Sequence, residues 1–205
     1  MAQMRRQPSE QELFEGWRSY WQQVKSENKV SNNITLGFGF NQNAVGQKFV
    51  GAKQKGPLPD FVCGMYPPPG FQGEVISDAR ADVLQTGTMW SASSETGVHA
   101  EVLVIRSWLV FYSNTRDEMT MEDAFQILKE QNIYISASQA ACWCCAALMD
   151  SLGIHYDKWD TGTKPLTGWR HPLGDRTVPN DEIPSDKSKI DANWLEWAKN
   201  YSGIV

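Results

Sequence analysis

Two stretches of the chain decide its fold class: V-H-A-E-V-L-V-I-R-S-W at residues 98–108 and A-A-C-W-C-C-A-A-L-M-D-S-L at residues 140–152. The second has the apolar content of a buried helix, and Gly153 follows it at the position where helices commonly end in glycine. The first is a continuous apolar run that fits a buried strand or a buried helix, because periodicity does not separate the two. Both stretches are expected in the core.

Helix and strand signals alternate around these two stretches. Ser9 with Glu12 and Thr120 with Asp123 have the spacing of a cap at a helix start. The expected helices cover residues 10–26, 120–131, 140–152 and 191–201. The expected strands cover residues 34–40, 45–50, 133–135 and 154–156, with weaker signals at 74–84 and 88–92. This alternation predicts an α/β fold.

Length and composition are those of a globular protein: 205 residues, of which 41% are hydrophobic and 21% charged. No apolar run approaches the ~18 residues of a membrane span, and no secretory signal is expected at the start. The expected location is therefore the cytoplasm, or the cytosol of a target cell if the chain is an effector domain. Prolines at residues 57–69 predict a boundary between an N-terminal extension, 1–70, and a main domain, 71–205.

Charge is unevenly distributed. The formal net charge is −5, yet residues 1–70 hold eight lysines and arginines against five acidic residues. Lys53 lies in the most basic part of this region, between Lys48 and Lys55, with aromatic residues nearby. Such a segment suits contact with phosphates and bases, although a solvated surface has the same pattern.

Four residues form the pattern that carries chemistry: His99 and Glu101, then Cys142 and Cys145 about forty residues later. On a helix, cysteines three apart share a face, and their thiolates together with an imidazole are ligands that Zn²⁺ prefers. Three protein ligands leave one position for water, which Glu101 could deprotonate. The alternative is that the cysteines are small buried core residues. Cys144 is expected to point away from Cys142.

These residues resemble the cytidine deaminase superfamily, whose signature is His-x-Glu followed by Pro-Cys-x-x-Cys. His99-Ala-Glu101 matches, and Cys142 and Cys145 match with Ala141 in place of the proline. The segment from Ser136 to Ser138 before the cysteines is similar to the nucleic-acid-targeting deaminase domains of bacterial toxins. The resemblance covers roughly residues 74–157.

The resemblance implies a three-layer fold with a central mixed sheet of about five strands. The helices that carry His99 and Cys142 would lie side by side on one face, so residues 98–108 would be helical. It also implies a Zn²⁺ cofactor held by His99, Cys142 and Cys145, with Glu101 as the catalytic acid and base. The reaction implied is hydrolysis of a C–N bond in an amidine, which converts cytosine to uracil.

The expected substrate is cytosine in DNA, single- or double-stranded. Acting on a polymer requires an unstacked base and side chains that receive it. Trp90, Trp143, Ser138 and Lys53 are the candidates. The alternatives are a deaminase of RNA or free nucleosides, which the acidic net charge favours, and a non-catalytic interaction module. If the chain is a toxin, an immunity protein is a further expected partner.

Overall fold

The structure is a computed structural model that describes residues 9–30, 35–42, 48–53, 98–162 and 167–203, with the backbone alone for 48–53. Its described elements are α1 (Glu10–Glu27), β1 (Thr35–Asn41), β2 (Lys48–Lys53), α2 (Ala100–Thr115), α3 (Met121–Leu128), β3 (Ile133–Ala137), α4 (Trp143–Ser151) and α5 (Ala192–Ser202). Two 3-10 turns, Asn180–Glu182 and Lys187–Lys189, precede α5. The mixture of helices and strands confirms the α/β class.

The described strands form one antiparallel sheet in the order β2-β1-β3. Next to β3, His155 forms an isolated parallel bridge: its N–H donates to Ile133 O at 2.8 Å, and its carbonyl accepts from Ile135 N–H at 2.8 Å. The strand predicted at residues 154–156 is thus a single bridge. The described residues show three strands where about five were expected, and the weak strand predictions at 74–84 and 88–92 lie outside them.

The two faces of β1 are covered by different helices. Its large apolar side chains pack with aromatic residues of α1: Leu36, Phe38 and Phe40 contact the cluster of Phe14, Trp17 and Trp21. Its glycines face α2. A Cβ on Gly39 would lie 2.5 Å from the Trp108 ring, and one on Gly37 would lie 3.2 Å from the backbone of Ala100. The sheet is therefore enclosed by α1 on one face and α2 on the other.

Residues 98–108 are helical apart from their first two positions, and the helix continues to Thr115. Nearly every side chain in its first three turns is buried, including Arg106, whose Nη1 donates to Pro172 O at 2.7 Å. A helix packed on nearly all sides has no polar face, which explains why periodicity alone could not identify it. The predicted capping box at Ser9 and the predicted cap at Thr120 are both present, and Thr120 also forms a capping box with Asp123.

The strands that precede residue 70 belong to the same sheet as β3, because β1 lies between β2 and β3. The boundary predicted near residue 70 lies outside the described residues. None of the helices in the described ranges combines the length and the apolar character that a bilayer span needs.

Candidate metal centre

His99 and Cys142 each occupy the N-cap position of a helix, α2 and α4 respectively. Both have extended backbone angles, with φ −63° and ψ 143° at His99 and φ −71° and ψ 166° at Cys142. Cys142 therefore precedes the helix, although it was expected within the first turn. The spacing of Cys142 and Cys145 still brings the two side chains together. The side chain of an N-cap residue turns toward the third residue of the helix, which here is Cys145.

The three predicted ligands meet in the interior of the protein. The Nδ1 atom of His99 lies 3.3 Å from Sγ of Cys142 and 3.4 Å from Sγ of Cys145. One donor atom from each of the three residues lies within 4.8 Å of the others, and all three side chains are buried. Among the residues that the structure describes, no other group of three His, Cys, Asp or Glu side chains is identified as able to hold a metal ion.

The far side of the His99 ring is held by a backbone carbonyl. Nε2 lies 3.3 Å from Thr167 O, so Nε2–H can donate to this oxygen. That hydrogen bond selects the tautomer in which Nδ1 has a free lone pair directed to the two cysteines. A second-shell acceptor of this kind is the usual partner of a metal-binding imidazole.

The donor set fits a soft or borderline metal ion. One imidazole nitrogen and two thiolates suit Zn²⁺, whereas Mg²⁺ and Ca²⁺ take oxygen ligands. Among the described residues the group has three protein donors, which is the number found in sites that keep one position for water. The predicted residues thus form a group that is able to bind a metal.

The third cysteine corrects one expectation. Cys144 was expected to point away from Cys142, but its thiol is close enough for hydrogen bonding to Cys142 to be the largest cause that raises its pKa. Cys142 precedes the helix, so its side chain is not confined to one helical face. Hydrogen bonds from Cys144 and Cys145 lower the pKa of Cys142. Burial raises the pKa of Cys145, and hydrogen bonding to Cys142 raises it further. Cys144 nevertheless does not belong to the group of close metal donors.

Glu101 lies in the first turn of α2, and only 4% of its surface is exposed. Its charge is among the causes that raise the pKa of Cys145, so the carboxylate is close to the donor group. With His99 and Cys142 it lines a cavity of about 10 Å³, which has room for about one water molecule. A second cavity, of about 20 Å³, is also lined by Glu101, with Arg18 and Asp157 in its wall.

The predicted substrate-binding residues are dispersed. Ser138 follows β3, where its Oγ accepts from Leu36 N–H at 2.9 Å. Trp143 donates from Nε1 to Gly162 O at 2.8 Å and lines a groove between α4 and α5, not the cavities at Glu101. Lys53 is opposite Thr35 in the sheet, and its side chain is not described. Trp90 lies outside the described residues.

Two residues at the site were missed by the sequence interpretation. Thr167 contributes only its carbonyl, so no side-chain pattern could have indicated it. Gln139 lines both cavities at Glu101, and its Oε1 accepts from Thr35 Oγ1 at 2.6 Å. Its place directly before the cysteine segment was the one available signal.

Comparison of the chain with family models, curated proteins and solved structures gave no match. The interpretation of the site therefore rests on its residues and their geometry.

Proposed function

We propose that this protein is a zinc-dependent deaminase that converts cytosine to uracil, with nucleic acid as its substrate. The observation that carries the proposal is the buried group of His99, Cys142 and Cys145 with the Glu101 carboxylate beside it. A buried carboxylate next to a thiolate is electrostatically unfavourable, so a structural metal site would not need Glu101 there. A hydrolytic site needs such a proton carrier.

Zn²⁺ held by these three side chains would lower the pKa of a bound water toward neutrality and so supply the nucleophile. The hydrogen bond from His99 to Thr167 O keeps the imidazole oriented through the reaction. The cavity beside Glu101 has room for one water, which places this reactant next to the carboxylate.

Glu101 would carry two protons in turn. Its carboxylate takes the first from the water and delivers it to N3 of the pyrimidine as the water oxygen bonds to C4. It takes the second from the resulting hydroxyl and delivers it to the exocyclic nitrogen, which leaves as ammonia when the C4–N bond breaks. The products are uracil, which keeps the N3 proton, and ammonia.

Entry of the base requires the cavity wall to move, because a pyrimidine ring is much larger than one water molecule. Gln139 is the exposed residue among those that line this cavity, and its Oε1 accepts a hydrogen bond from Thr35 Oγ1. Displacement of the Gln139 side chain would break this bond and open the cavity toward the surface.

The test is incubation of the zinc-loaded protein with cytosine-containing single-stranded DNA, double-stranded DNA, RNA and free cytidine, with uracil detected by mass spectrometry. Glu101→Gln should reduce turnover by about 10²–10⁴-fold while the bound zinc, measured by metal analysis, stays at one ion per chain. The matched control is Glu130→Gln, which removes an exposed carboxylate from the end of α3 and should leave turnover unchanged.

Each outcome has a distinct meaning. Uracil in one polymer establishes the reaction and the substrate. Uracil only from RNA or cytidine keeps the reaction and replaces the proposed substrate. Full turnover by Glu101→Gln contradicts the mechanism, and no uracil from any substrate with zinc bound contradicts the enzyme assignment and favours an interaction module.

A further inference from the structure

A groove of about 590 Å³ lies between the end of α1 and the segment that follows β3. Its lining is polar apart from one valine and consists of Gln22, Lys25, Ser26, Lys29, Val30, Ser138 and Gln139. Four of these residues are exposed, so the groove is open to solvent. Its volume is in the range of ligand-binding sites, about 300–1,000 Å³.

Among the described residues that line the groove, two are lysines and none is acidic, so this part of the lining is positively charged. The end of α1 places both lysines there. Lys29 has φ +52°, and after it the chain folds back so that Val30 N–H donates to Lys25 O at 2.9 Å. This is the bond pattern of a helix end closed by a left-handed residue, a position that favours glycine or asparagine. A lysine there adopts a conformation that ordinary side chains rarely take, and its side chain supplies a cation to the groove.

The groove adjoins the metal centre through one residue. Gln139 lines the groove and also both cavities at Glu101. Ser138, the residue before it, is fixed to β1 by two hydrogen bonds: its Oγ accepts from Leu36 N–H at 2.9 Å and its N–H donates to Leu36 O at 2.7 Å. The backbone next to Gln139 is therefore held in place, and the exposed Gln139 side chain lies where the groove and the cavities meet.

We propose that Lys25 and Lys29 bind phosphates of a single nucleic-acid strand whose reacting base passes Gln139 to reach Glu101. This inference rests on the proposed function and deepens it, since it selects a polymer over a free nucleoside. A nucleoside has no phosphate for the lysines to bind. An open groove with two cations suits a backbone that continues past the site, whereas an enclosed pocket would suit a mononucleotide.

The test measures binding by fluorescence anisotropy of a labelled, cytosine-containing single-stranded DNA at salt concentrations from about 50 to 200 mM. The full chain carries Glu101→Gln, which reduces turnover so that the DNA stays largely unreacted during the measurement. Lys25→Gln/Lys29→Gln is compared with Lys129→Gln/Lys189→Gln, which removes the same charge from exposed positions elsewhere. Thermal unfolding of each variant verifies that it is folded.

Each phosphate contact on a single strand contributes about 0.7 to the slope of log K against log salt. Loss of both groove lysines should therefore reduce the slope by about 1.4 and weaken binding by about 25-fold at 0.1 M salt, whereas the control pair should change the slope far less. Equal effects of the two pairs would overturn the proposal. The proposal would also be overturned if cytidine monophosphate displaced the DNA and its binding showed the same slope of log K against log salt. The groove would then bind one nucleotide and not a strand.

The binding measurement does not require deaminase activity, so the failure of this proposal can be distinguished from the failure of the proposed function. If the protein binds DNA through the groove lysines but produces no uracil, the deaminase proposal fails and the phosphate groove stands. If it produces uracil but the groove lysines do not affect binding, only the groove proposal fails.

Discussion

Metal binding at His99, Cys142 and Cys145 should be measurable as a difference in stability between metal-loaded and metal-free protein. Their donor atoms already lie within 4.8 Å of one another, so binding requires little rearrangement of the fold. A site that binds only the folded state stabilises it by about 2.7 kcal/mol when free metal is at 100 times the dissociation constant. For a chain of 205 residues this corresponds to a rise in Tm of about 5–11 °C.

Cys145→Ala should abolish most of this rise, because it removes one of three donors. Cys144→Ala is the matched control: it deletes a buried thiol from the same helix turn that is not one of the three donors, so most of the rise should remain. Both substitutions lower the Tm of the metal-free protein through lost packing, so the quantity to compare is the difference between zinc and EDTA in each variant. Calorimetry with parallel metal analysis measures it. The assignment of the ligands would be refuted if Cys145→Ala kept the full difference in Tm between zinc and EDTA, or if Cys144→Ala lost this difference.

Two further predictions concern stability. Gly39→Ala should lower the free energy of unfolding by about 1–3 kcal/mol, since its Cβ would lie 2.5 Å from the Trp108 ring. Gly16→Ala should raise it by about 0.5–1 kcal/mol, because nothing lies within 4 Å of that Cβ on α1. Denaturant titrations that show no loss of stability in Gly39→Ala would contradict the close packing of β1 on α2. Burial, with a smaller effect of Lys199, lowers the pKa of His171 from 6.5 to about 3. Below pH 6.5 the His171 imidazole takes up a proton in the unfolded chain but stays neutral in the folded one. Stability is therefore lost as pH falls from 6.5 toward 3, by about 2 kcal/mol at pH 5. The measurement is the free energy of unfolding in EDTA at about pH 7.5 and about pH 5. The parent protein should lose stability between these pH values, and His171→Asn should lose less. An equal loss in both proteins would exclude His171 as its source.

Local signals were sufficient for several elements and for the side chains that could hold a metal ion. The capping boxes at Ser9 and Thr120 start helices where the sequence predicts them, because the capping interaction spans only three residues. The donors were identified because side-chain chemistry and order along the chain are properties of the sequence. Cys142 and Cys145 also come together for a local reason, as the N-cap and third residue of one helix.

Other features depended on contacts between distant segments. The strand expected at residues 154–156 is a single bridge at His155, since a strand extends only as far as its neighbour provides backbone partners. The burial of α2 on nearly every side removed the periodicity that would have identified it as a helix. Gln139 and the carbonyl of Thr167 lie at the site because of how the chain folds, and no sequence motif indicates their positions.

The α/β class, the starts of the capped helices and the side chains that could hold a metal can all be predicted from the amino-acid sequence, because they follow from short-range spacing and side-chain chemistry. In contrast, tertiary packing brings the N-terminal ends of α2 and α4 together, so that Nδ1 of His99 lies 3.3 Å and 3.4 Å from the two sulfur atoms. The absence of a side chain at Gly37 lets the start of α2 approach β1, and the resulting position of His99 depends on residues far apart in the chain.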